Sequence, residues 1–102
     1  MDGLVRLPAR RLAALIAARA VSSTELVNAC VARIEEVNPT VNAVVETRFD
    51  AARQEAATAD RALAHGGVRG PLHGVPCTVK EAVAVGGMHW TNGVAADDRS
   101  GR

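Results

Sequence analysis

The chain has 102 residues, enough for one modest domain or a part of a larger one, and a formal net charge of +1. That balance excludes an acidic tail and gives no clustered basic surplus, so no nucleic-acid partner is expected. Nearly half the residues are hydrophobic, but twenty of them are alanines and only Phe49 and Trp90 are aromatic. Buried area scales with side-chain size, so a core built from this set is thin and the composition reads as a piece of a larger fold.

The first predicted element is a helix over residues 9–20. Leu12, Leu15 and Ile16 share one face, while Arg10, Arg11 and Arg19 can stay solvated. Arginines ahead of the apolar run Leu12 to Ala18 also fit a targeting leader in outline, but an ordinary amphipathic helix accounts for them with fewer assumptions. That run is far short of the roughly 20 residues a bilayer needs, so no membrane span is expected. Next, Ser22-Ser23-Thr24-Glu25 forms a capping box, with the Ser22 hydroxyl taking the third helical amide and Glu25 reaching back. The helix it opens is predicted over 23–37, with Leu26, Cys30 and Ile34 as its stripe and Asn38-Pro39 as its stop. Val41 to Glu46 is a short β candidate. Residues 50–65 return to a helical pattern rich in Ala, Glu, Gln and Arg, ended by Gly66-Gly67.

Beyond Gly66 the texture changes. Glycines at 66, 67, 70, 74, 86, 87 and 93 and prolines at 71 and 76 bracket a β-prone run, Val75 to Val79, with Val83 to Val85 a second candidate. The expected organisation is therefore a mainly helical layer over 9–66 and a Gly/Pro-rich strand segment over 70–93, together a partial domain spanning 1–102. Cys30 and Cys77, 47 residues apart, are expected to be buried free thiols, which points to a reducing, cytoplasmic setting. No His/Cys cluster has metal-ligand spacing, so neither metal nor cofactor is expected.

Lys80 is the chain's single lysine and ends the β-prone run. Alternation puts it on one face with Thr78, opposite Cys77 and Val79. On composition alone a solvated lysine at a strand end is the plainer reading. A functional lysine there would work as a neutral amine, because burial lowers its pKa. His65, His73 and His89 share no metal-like spacing and are expected to be structural or surface residues. Serine occurs only at 22, 23 and 100, the first two assigned to the helix cap, and there is no GxSxG elbow, P-loop or GxGxxG.

The segment Gly70-Pro71-Leu72-His73-Gly74-Val75-Pro76-Cys77-Thr78-Val79-Lys80-Glu81, continuing through Gly86-Gly87-Met88, resembles the amidase signature family, whose members carry G-P-L-x-G-[IV]-P-x-x-[VL]-K-[DE]. The capped helix with S-S-x-E-L, the R-I-E-x-x-N-P helix end, N-A-V-V and the Ala-rich helix fit the family's opening, so the resemblance covers nearly the whole chain. It implies an α/β/α enzyme with a mixed sheet, of which this chain holds the helices and the opening strands. It also implies amide C–N hydrolysis by a Ser–cis-Ser–Lys triad acting on a small-molecule amide without a cofactor. Lys80 matches the triad lysine. The two serines are implied further along, in a Gly/Ser-rich segment beyond this chain, so the chain alone is expected to be inactive. Glu81 and the Ala-Val-Ala-Val-Gly-Gly-Met run favour the fatty-acid-amide-hydrolase-like branch. The A subunit of tRNA-dependent amidotransferases shares the same opening and stays open as an alternative, as does a non-catalytic interaction module on the same scaffold.

Overall fold

The computed structural model describes residues 3–89; Trp90, Gly93 and Ser100, named above, lie outside the described residues. After a single 3-10 turn at Leu4–Arg6 come three helices, α1 (Ala9–Ala17), α2 (Ser23–Val41) and α3 (Phe49–Ala64), followed by a loop segment over 65–89.

The core lies where the three helices meet. Leu12 and Ile16 of α1, Val21 of the following turn and Leu26 of α2 are buried together, and Leu15, Cys30, Leu63 and Val75 pack around them. A second, smaller cluster joins α2 to α3 through Val27, Val31 and Ala56, flanked by Phe49 and Ala52. Alanine on α3 lets the two helices approach closely but leaves little apolar area to bury, so the packing is tight and the core small.

Each helix ends by a mechanism that its residues dictate. At the end of α1 the Arg19 and Ala20 amides bond back to the Ile16 and Leu15 carbonyls at 2.9 Å each, with Arg19 at φ 59. This paired closure usually places glycine in that left-handed position. Arginine tolerates it here while its guanidinium donates to the Leu63 carbonyl at 2.8 Å, tying the ends of α1 and α3 together. The same closure ends α3, with Gly66 and Gly67 bonding to Leu63 and Ala62 at 2.9 and 2.8 Å and Gly66 at φ 80.

Pro39 does not stop α2 as its ring and missing N–H predict; the helix carries it and continues to Val41. Proline removes the bond to the Glu35 carbonyl, and Glu35 and Pro39 both lie on an exposed part of the helix, where the ring meets no packed neighbour helix face among the described residues. Asn42 then closes the helix in the left-handed region, φ 48, which asparagine tolerates better than most residues. Asn38 pins the outgoing chain with a reciprocal pair: its Oδ1 accepts from the Val44 amide at 2.9 Å and its Nδ2 donates to the Val44 carbonyl at 2.8 Å.

That pairing is what residues 41–46 do in place of forming a strand. Among the described residues there is no strand, so the opening strands of a mixed sheet expected at 41–46, 75–79 and 83–85 are not formed. Residues 75–80 run without helix or turn and without a ladder partner, and β structure needs a second strand to take its N–H and C=O groups. The helical layer is the part of the expected architecture that the structure shows. Helix α1 is also three residues shorter than its apolar pattern predicts, because the closure at Arg19 ends it at Ala17. Cys77, expected to be buried, is exposed; Cys30 is half-buried, and desolvation pushes its thiol pKa up. No helix is long and apolar enough to cross a membrane among the described residues.

Candidate active site

The site is built outward from the N-terminus of α2. A helix leaves its first amides without intrahelical acceptors. The capping box fills two of these places: the Glu25 amide donates to Ser22 Oγ at 3.0 Å, and the Ser22 amide to Glu25 Oε1 at 3.2 Å. The remaining two are taken from α3. Asp60 accepts the Ser23 amide at 2.7 Å, the Thr24 amide at 3.1 Å and the Thr24 hydroxyl at 2.6 Å. Burial works against its charge, but the Thr24 hydroxyl, the Thr24 and Ser23 amides and the nearby His73 outweigh it and hold the Asp60 carboxyl below the usual range. A carboxylate also suits the positive end of the α2 dipole.

With its amide held by Asp60, Ser23 turns its hydroxyl to the loop and donates to the Gly74 carbonyl at 2.6 Å. Ser23 is 1% exposed, so this bond is made away from water. Gly74 fits for two reasons. Its φ is +81, and a Cβ on it would stand 3.1 Å from the Ser23 Cβ and 3.3 Å from the Ile16 Cγ2. One residue earlier, His73 Nδ1 accepts the Arg69 amide at 3.2 Å, which leaves Nε2 as the protonated nitrogen that donates to the Ala59 carbonyl at 2.9 Å. The first half of the 70–81 segment is thus bolted to the start of α2 and the flank of α3, with Val75 packed into the core.

The second half is open. Cys77, Thr78, Val79 and Lys80 are all exposed. The chain turns at once after the lysine, with the Val83 amide bonding to the Lys80 carbonyl at 2.9 Å. Further on, the His89 amide donates to Glu46 Oε2 at 2.8 Å, so the lysine segment is held at both ends. Among the described residues both serine hydroxyls are engaged elsewhere than at Lys80. Ser22 is consumed by the cap, and Ser23, assigned to the cap from sequence, holds Gly74.

Two surface grooves flank the segment. One, about 540 Å³, lies against α3 between Arg48, Glu55, Arg69 and His73. The other, about 400 Å³ and largely apolar, lies between α1 and Val68, Pro71 and Leu72. Lys80 lines neither. Among the described residues no group of His, Cys, Asp and Glu could hold a metal.

Sequence reading singled out Lys80 and the glycines of its segment and did not bring Ser23, Asp60 and His73 together as parts of one anchor. The available signal was redundancy: a capping box needs only Ser22, which leaves a second small hydroxyl residue at the first buried helical position.

Comparison with known proteins converges on one family. The amidase family model matches residues 25–100, a stretch that runs from the first turn of α2 through the whole lysine segment. The chain is similar to fatty-acid amide hydrolase 2-A of Danio rerio, 47% identical over 98 residues, covering 89% of this chain and 18% of that protein. It is 38% identical over 88 residues to an acylamidase of Rhodococcus erythropolis, covering 86% of this chain and 18% of the relative. It is 42% identical over 93 residues to the A subunit of the glutamyl-tRNA(Gln) amidotransferase of Acidothermus cellulolyticus, covering 91% and 18%. The chain therefore spans about a fifth of the length of the curated relatives it matches. A motif lysine on a segment anchored to a capped helix, inside a family match across most of the sequence, places this chain in the amidase signature family.

Proposed function

We propose that this chain supplies the lysine-bearing opening part, residues 1–102, of an enzyme that hydrolyses a carboxylic amide C–N bond, with Lys80 as its base. The observation that carries this reading is the lysine segment itself: the sole lysine, at the family's motif position, held at both ends and left open between them. Its exposure in the described residues fits a face that the remainder of a family-length domain would cover.

In the proposed reaction, neutral Lys80 accepts a proton from a bridging serine. That serine takes the proton of a second serine, whose oxygen attacks the amide carbonyl. The C–N bond breaks, the relayed proton leaves with the amine, and water then cleaves the acyl ester to free the acid and restore the serine. Neither serine is among the described residues, since Ser22 and Ser23 are both committed. The relatives' names point to acyl amides as the substrate class and favour the fatty-acid-amide-hydrolase-like branch. The likeness to an amidotransferase component supports a second reading, in which the same base serves an enzyme of that kind.

The test is a chimera in which residues 3–89 replace the matched segment of the Rhodococcus erythropolis acylamidase, with the Danio rerio protein as a second host. The expected result is a folded chimera that cleaves an acyl amide, and a Lys80→Ala version that folds equally well and loses roughly 10²–10⁴-fold in rate. A folded chimera without activity, retained activity in Lys80→Ala, or failure to fold in both hosts would overturn the reading and favour a non-catalytic module.

A further inference from the structure

Gly74 lies six residues before Lys80, and the residues between them run without helix or turn and without a strand partner. Where that run leaves the helical layer is therefore set at its root, while its far end is held by the turn at Lys80 and the His89–Glu46 bond. The root is constrained: a Cβ on Gly74 would stand 3.3 Å from Ile16 Cγ2 of α1 and 3.1 Å from Ser23 Cβ of α2, and the Gly74 carbonyl is held by a fully buried hydroxyl at 2.6 Å. Ser23 cannot drift, because its own amide is fixed by Asp60 at 2.7 Å. His73, bonded on both ring nitrogens, removes the remaining freedom one residue upstream. The chain from Asp60 to Ser23 to Gly74 thus transmits the position of α3 and α2 to the start of the lysine run.

We propose that Ser23 is a positioning residue for Lys80: its hydroxyl bond to the Gly74 carbonyl sets the place and direction in which the lysine-bearing run leaves the helical layer. This rests on the reading of Lys80 as the base. Removing the hydroxyl frees the Gly74 carbonyl and lets the run pivot. A small pivot at the root becomes a larger displacement of the amine, and misplacement by about 1 Å can cost on the order of 10²-fold in a proton-transfer geometry. Substrate contacts elsewhere are untouched, so the loss falls on kcat and leaves KM in place.

The test compares Ser23→Ala, Lys80→Ala and Val31→Ala in the active chimera. Val31 sits in the second core cluster, away from the loop, and its truncation lowers stability without touching the anchor. Ser23→Ala is expected to lose roughly 10- to 100-fold in kcat with KM within about twofold, while Val31→Ala keeps both values at a similar loss of thermal midpoint. Equal kcat in Ser23→Ala and Val31→Ala would overturn the proposal, and so would a loss carried by KM. If Ser23→Ala does not fold, His73→Ala loosens the adjacent anchor and is expected to show the same kcat loss; unchanged kcat there would count against the proposal. Activity retained in Lys80→Ala would instead defeat the underlying reading of the lysine.

Discussion

Asp60 and Thr24 meet at the N-terminus of α2, where the carboxylate accepts both the Thr24 hydroxyl at 2.6 Å and the Thr24 amide at 3.1 Å. With the Ser23 amide as a third donor, one side chain of α3 completes a cap that the local sequence only half provides. The arrangement joins α3 to α2 at the point where the lysine segment is also tied, so helix packing and the candidate site share a foundation.

The first prediction follows from that carboxylate. Asp60→Asn in the chimera is expected to lose about 1–2 kcal/mol at neutral pH, the usual scale for a lost helix cap. The folded pKa lies below the ordinary 3.8, so the stabilisation by ionised Asp60 is present above that value and is lost as pH falls below it through the folded pKa. Urea unfolding at stepped pH should therefore show the gap between wild type and Asp60→Asn narrowing only in that acid range. A gap that stays constant through it would contradict the assignment.

A second prediction concerns Gly74→Ala. The added Cβ meets the Ser23 Cβ at 3.1 Å and the Ile16 Cγ2 at 3.3 Å, in a backbone conformation at φ +81 that alanine resists. Strain and overpacking together should cost about 2–4 kcal/mol, whereas Gly66→Ala, at φ 80 with open space around it, should cost only the conformational share of about 1 kcal/mol. Denaturation midpoints of the two variants check the ranking, and equal losses would show that the close approach is not a constraint.

How much of this was legible in the sequence differs from element to element. The capping box at Ser22 and Glu25, the Gly66-Gly67 stop and the lysine motif are local, carried by residues a few positions apart, and the structure forms both the box and the stop where the sequence puts them. What the sequence hid is non-local or depends on solvent. Asp60 reaches Ser23 across 37 positions, and Ser23 reaches Gly74 across 51, so no short window reveals either. Pro39 stays helical in the last, exposed turns of α2. Val75 to Val79 carries strand propensity, but propensity without a neighbouring strand makes no ladder.

The third prediction is for the 102-residue chain on its own. Val41, Val45, Val68, Leu72, Val79 and Val83 are all exposed by half or more, and among the described residues the run at 75–80 has no strand beside it. Such a surface favours self-association. Sedimentation of the isolated chain should show concentration-dependent aggregation and a broad thermal transition, and amide hydrolysis should be absent. A dilute monomer with a sharp, cooperative transition would refute this.

For Lys80 in its proposed role as a neutral base, charge and proton transfer separate at one substitution. Arginine keeps the positive charge but cannot be deprotonated near neutral pH, so it preserves an electrostatic or structural role and abolishes a basic one. The decisive measurement is kcat/KM for acyl-amide hydrolysis by Lys80→Arg in the chimera, against wild type at the same folded concentration. The account predicts a loss within about tenfold of that seen in Lys80→Ala, on the 10²–10⁴ scale of general-base catalysis. Activity close to wild type in Lys80→Arg would contradict it and leave Lys80 as a solvated or electrostatic residue.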